Sequence, residues 1–135
     1  MKANELRIGN LVKIDCPDFE NKIQSIPNIH EKGVLINGNP YSLLELQPIL
    51  LTEEWLLRFG FVKWEDRLTI EAWAKGHPSQ RFDIDFIEGE IVMNSRYQEH
   101  SDTHIMGHIK HVHQLQNLYF ALTGEELKLK DDENN

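Results

Sequence analysis

Five of the seven histidines, His100, His104, His108, His111 and His113, fall within fourteen residues. Neutral imidazole is the commonest nitrogen ligand of zinc, and a tetrahedral site takes three or four such donors. The chemistry would be that of a metal-dependent enzyme, with Asp102, or Asp83 and Asp85, completing the ligand set. The spacing matches no ligand motif. If residues 105–109 form a strand, His104 and His108 share a face, while His100 lies in a loop and His111 and His113 open a helix. Loop and surface histidines with one helix-facing His113 are the plainer account, so no cofactor is expected. Zinc on His100, His104, His108 and His111 is the alternative. Asp83 and Asp85 alternate on the outer side of a strand, where carboxylates are ordinarily solvated, whereas acid–base work needs a pKa displaced by burial or by a neighbour. Ser79, Ser95 and Ser101 lie in loops, with no GxSxG elbow and no glycine-rich phosphate cradle. Cys16 sits between Asp15 and Pro17 without a cation to activate it, and it is the sole cysteine, which excludes an internal disulfide or a CxxC pair. No catalytic residue is therefore assigned.

A second group of residues points to binding. On a helix over His111 to Leu127, HVHQLQNLYFALTGEEL, the side chains of Val112, Leu115, Leu118, Tyr119 and Leu122 share one arc, the stripe a helix lays on a sheet. Gly124 follows where the chain must leave the helix with positive φ. The opposite face carries His113, Gln114, Gln116, Asn117, Phe120 and Ala121, and no charged residue lies between Val112 and Gly124. Solvated helix faces usually carry charges. Amides satisfy buried donors and acceptors without desolvating a charge, so this face should be covered by the chain, by a second copy or by a ligand. Trp73 shares the polar side of a strand with Thr69 and Glu71, where it is covered by a second layer or stacks on a flat ligand or a partner. Trp73, His113, Gln116, Asn117 and Phe120 are the candidate ligand- or partner-binding residues.

The elements that must position these residues read as an α+β fold. Residues 1–51 form a small N-terminal β lobe of about four strands. In it Leu6, Ile8, Leu11, Val12 and Ile14 make a strand kinked at Gly9-Asn10, and Asn37-Gly38 turns a hairpin from Val34–Ile36 into residues 41–46. An SH3-like barrel is the simplest closure of that lobe. Residues 52–127 follow as a short helix, an antiparallel meander and the C-terminal helix packed on it. Thr52 caps the short helix, Trp55, Leu56 and Phe59 form its apolar side, and Gly60 ends it with Phe61 folding back on Leu56. The meander has three or four strands over residues 61–93, with period-two alternation at Leu68, Ile70 and Ala72 and at Phe82, Ile84 and Phe86. Residues 94–104 read as a polar loop, and 128–135 as a mobile acidic tail.

Composition narrows the classes further. The net charge of -8 over 135 residues argues against nucleic-acid binding, which depends on Lys and Arg releasing counterions. With 40% hydrophobic and 27% charged residues, the chain can bury a core and remain soluble. The start, MKANELRIGN, lacks the apolar run of a signal peptide, and no stretch approaches the ~20 apolar residues of a membrane span. A cytoplasmic protein with no membrane partner is expected.

Three segments, NELRIGNLV, PILLTEEWLLRFGF and VHQLQNLYFALTGEEL, resemble a family of small uncharacterised proteins of prophages and mobile elements in gut anaerobes. Their order and spacing span nearly the whole chain. Leu50 stands where that resemblance would place a proline after Pro48-Ile49. The resemblance implies a phage or mobile-element accessory gene and carries over no functional residues. The expectation is a non-enzymatic binding protein, homo-oligomeric, that contacts a partner chain or host protein or sequesters a small host ligand such as a signalling nucleotide. A metal-dependent enzyme using the 100–113 histidine cluster and a structural or assembly component are the alternatives.

Overall fold

Asn37 and Gly38 both take positive φ, 54° and 81°, the backbone of the two-residue turn that matches strand twist in hairpins. They join β4 (Gly33–Ile36) to β5 (Asn39–Ser42), with Ile36 opposite Asn39 and Val34 opposite Tyr41. The computed structural model describes residues 1–15, 22–30, 33–64, 67–72, 80–87, 90–97, 100–105 and 107–130. The expectations for Cys16, Trp73 and Ser79 lie outside these. For Asp83, Asp102, Ser95, Ser101, His100 and His104 the backbone alone is described.

The fold is α+β, and the chain divides into two compact units. The first comprises Met1–Leu50 with His111–Leu118, and the second Leu51–Lys110 with Tyr119–Asn135. The C-terminal helix α2 (Val112–Thr123) therefore contributes its first two turns to the N-terminal unit, whereas its periodicity alone assigned all of it to the meander.

In the first unit a 3-10 turn over Ala3–Glu5 leads to β1 (Leu11–Ile14). Residues 6–8 are not a strand, contrary to their apolar alternation: Ile8 is exposed, and the Asn10 Oδ1 accepts the Arg7 amide at 2.7 Å, which closes a local turn. The strand β1 pairs antiparallel with β2 (Lys22–Ser25) and with β6 (Leu46–Gln47), giving the order β2-β1-β6. A second sheet has the order β3-β4-β5, with β3 at Asn28–His30. Only Ile26 and Pro27 separate β2 from β3, so one stretch of chain feeds both sheets. Residues 43–45 form a 3-10 turn instead of prolonging β5. Leu6, Val12, Ile14, Ile26, Val34, Ile36, Tyr41 and Leu46 make one apolar cluster from both sheets.

In the second unit, α1 (Glu53–Arg58) begins at Thr52, whose Oγ1 accepts the Trp55 amide at 3.4 Å. It ends as its sequence requires: Gly60 has φ 96°, its amide donates to Leu57 O, and the Phe61 amide donates back to Leu56 O at 3.0 Å. These are the paired bonds of a glycine-terminated helix, with Leu56 and Phe61 both buried. A five-stranded antiparallel sheet follows, in the order β11-β10-β9-β8-β7, from β7 (Val62–Trp64), β8 (Arg67–Ala72), β9 (Gln80–Ile87), β10 (Glu90–Tyr97) and β11 (His100–Ile105). Leu68 and Ile84 sit opposite one another and are buried. The sheet is longer than the expected meander because, of the expected loop 94–104, residues 94–97 and 100–104 lie in strands. They pair strand to strand, Asn94 opposite Thr103 and Ser95 opposite Asp102. Backbone pairing proceeds there without the apolar alternation that advertises a half-buried strand.

Gly33 lies where a Cβ would overlap the Tyr41 carbonyl oxygen, whereas nothing lies within 4 Å of the corresponding position at Gly38. Gly33→Ala should therefore cost more in urea unfolding than Gly38→Ala. The former meets a backbone that must shift, at ~2 kcal/mol or more, and the latter only a left-handed φ, at ~1 kcal/mol. Equal losses would show that the β4–β5 pair yields to the methyl.

Candidate functional site

The amide face of α2 is built into the first unit. Gln116 is 3% exposed; its Oε1 accepts the Leu11 amide at 2.8 Å and its Nε2 donates to Gly9 O at 3.1 Å. The Asn117 Oδ1 accepts from Asn10 Nδ2 at 2.8 Å and from Arg7 Nη1 at 3.2 Å, and its Nδ2 donates to Glu5 O at 2.8 Å. Of the covers considered for this face, the chain's own residues 5–11 supply one for these two amides. Gly9, at φ 95°, makes the turn that aims its carbonyl at the helix. Asn10 is fully buried, and its backbone carbonyl accepts the Ile26 amide at 2.9 Å, which ties the same turn to the end of β2.

The start of α2 is fixed by a different amide. The Gln114 Oε1 accepts the His111 amide at 2.9 Å, the reciprocal bond of a capping box. Val112 N donates to Ile49 O at 2.8 Å, and Leu50 bridges His111. These bonds bring the histidine pair into place. The His111 and His113 rings stack with centroids 5.8 Å apart and planes 15° from parallel. His113 is 2% exposed, and among the described residues neither ring nitrogen has a hydrogen-bond partner. Burial holds its pKa below the ordinary value, His111 lowers it further, and the Glu5 carboxylate opposes both.

The remaining candidates are dispersed. His100 and His104 lie on β11 opposite Tyr97 and Met93, and His108 is exposed in a turn beyond that strand, so His104 and His108 do not share a strand face. Among the described residues no group of three or more His, Cys, Asp or Glu is placed to hold a metal. Asp85 is more covered than a solvated strand face implies: one carboxylate oxygen lies 3.5 Å from Arg67 Nε and the other is buried without a partner among the described residues. Phe120 is 39% exposed, and Leu122, expected in the buried stripe with Val112, Leu115 and Tyr119, is 42% exposed. An open groove of about 380 Å³ is lined by Lys13, Ile14, Asp15, Gln47 and Pro48, none of which is among the candidate binding residues.

Sequence reasoning missed Glu5, Arg7 and Asn10 as partners of the helix. The available signal was Gly9-Asn10, read as a turn, beside a helix whose polar face lacked charge. Gln116→Leu should strand the buried Leu11 amide and the Gly9 carbonyl, a loss of ~1–3 kcal/mol in urea unfolding. Combined with Asn117→Leu, the total should fall short of the sum of the single losses, because both amides hold one segment. A single-variant loss under ~0.5 kcal/mol would mean water replaces the side chain at no cost. No family model, curated protein or solved structure matches this chain.

Proposed function

We propose that this is a non-enzymatic accessory binding protein of a prophage or mobile element, acting in the cytoplasm, that contacts a partner chain, first of all a second copy of itself. The observation that carries this reading is the run Phe120-Ala121-Leu122, three consecutive exposed residues in a stretch free of charge from Val112 to Gly124. Single exposed apolar residues are ordinary on any surface. An uncharged apolar turn at the end of a helix is the composition of an interface centre, where charge is depleted and aromatic residues are enriched.

The accessory setting rests on the three resembling segments. Sequestering a nucleotide-like ligand would require the amides of Gln116 or Asn117, which are engaged with Leu11, Gly9, Asn10, Arg7 and Glu5. Protein contact is therefore the reading the geometry supports better. No helix among the described residues is long and apolar enough to cross a membrane.

The test is Phe120→Asp combined with Leu122→Asp, followed by native mass spectrometry and thermal unfolding. Wild-type protein should be oligomeric and the variant monomeric, with the melting temperature of the separated chain unchanged. A wild-type monomer retires self-association, and a variant that stays oligomeric removes this turn from the interface.

A further inference from the structure

His113 lies on the same helix face as Gln116 and Asn117, three and four residues before them, and is as deeply buried as Gln116. Its neighbours' amides are satisfied by residues 5–11, yet both of its own nitrogens lack a partner among the described residues. A neutral imidazole in that position forgoes hydrogen bonds. A charged one would add a second N–H donor and a full charge to the same buried site. His111, stacked on it, disfavours that charge further.

The charged and titratable groups around the ring are mixed in sign. The Glu5 carboxylate attracts a proton to His113, while His111 and the terminal amine repel it. Glu5 belongs to the segment that Asn117 holds by its backbone carbonyl, and Arg7 brings a guanidinium to the same Asn117 oxygen. His113 and the amides that hold the N-terminal segment thus share one helix face, about one turn apart.

We propose that the buried His113 ring is an acid-sensitive latch, whose protonation releases the segment over residues 5–10 from the amides of Gln116 and Asn117. The folded ring titrates below its ordinary value of 6.5. The folded state thus binds fewer protons than the unfolded one as the pH falls. The stabilisation is complete above about pH 6.5 and is lost as the pH drops below it towards the folded value. Release uncovers Leu6, Asn10 and two side-chain amides that are satisfied internally at neutral pH. Acid thereby converts a self-satisfied face into one with free hydrogen-bonding groups.

The experiment is amide hydrogen exchange followed by NMR from about pH 7.5 to about pH 5, with the His113 ring nitrogens observed in the same samples. Protection at Leu11, whose amide is bonded to Gln116, should fall severalfold as the His113 ring becomes charged. The Phe61 amide, bonded within the helix-terminal turn, should keep its protection. His113→Met should flatten the response at Leu11, and His111→Asn should weaken it by removing the like charge. Constant protection at Leu11 overturns the latch. So does a His113 ring that stays neutral while Leu11 becomes labile, or an equal loss at Phe61, which would report general acid unfolding. The ring signal decides the matter even if His113→Met does not fold.

Discussion

Two side-chain amides, on Gln116 and Asn117, join the start of the chain to a helix more than a hundred residues later. Each amide both donates and accepts, so each can satisfy donors and acceptors of the N-terminal segment at once, Gln116 where it is buried and Asn117 where it is half-buried. Lysine or glutamate there could serve only one sign of partner and would bring a charge that burial penalises. The absence of charge along this helix is therefore a requirement of what it holds. The entry to β1, the Gly9-Asn10 turn and the link from Asn10 to Ile26 all depend on the same contact.

The first unit combines that polar contact with an ordinary apolar cluster. Val12, Ile14, Ile26, Val34, Ile36 and Leu46 supply burial from two small sheets, and burial is non-directional. Hydrogen bonds from Gln116 and Asn117 add direction, since they fix which residues of the N-terminal segment face the helix. His113, on the same helix, departs from this pattern as a buried side chain whose ring nitrogens have no hydrogen-bond partner among the described residues. Partly satisfied polar networks are where a modest change of charge has the largest effect.

Intramolecular use of the amides also bears on function. A face that is free of charge because it grips its own chain is not thereby free for a ligand. The last turn of the helix carries Phe120, Ala121 and Leu122, all exposed. The protein-contact reading moves to that turn, and the histidines become separate local features: two on an edge strand, one in an exposed turn and two stacked at the helix start.

By itself the sequence determined the features whose causes lie within a few residues. Asn37-Gly38 dictated the hairpin turn, Thr52 and Gly60 set the ends of the short helix, Gly124 ended the long one, and alternation at Leu68 and Ile84 marked buried strand positions. Tertiary structure decided what local pattern could not carry. The Leu6 to Ile8 alternation gave way to a turn closed by Asn10. The polar residues 94–97 and 100–104 became strands because backbone groups pair whatever the side chains are. The cover over Gln116 and Asn117 was foreseeable in kind, yet its identity was not, since no periodicity relates residue 117 to residues 5, 7 and 10. Such contacts are selected by the closure of the whole chain, in which satisfying every buried donor and acceptor is a global condition.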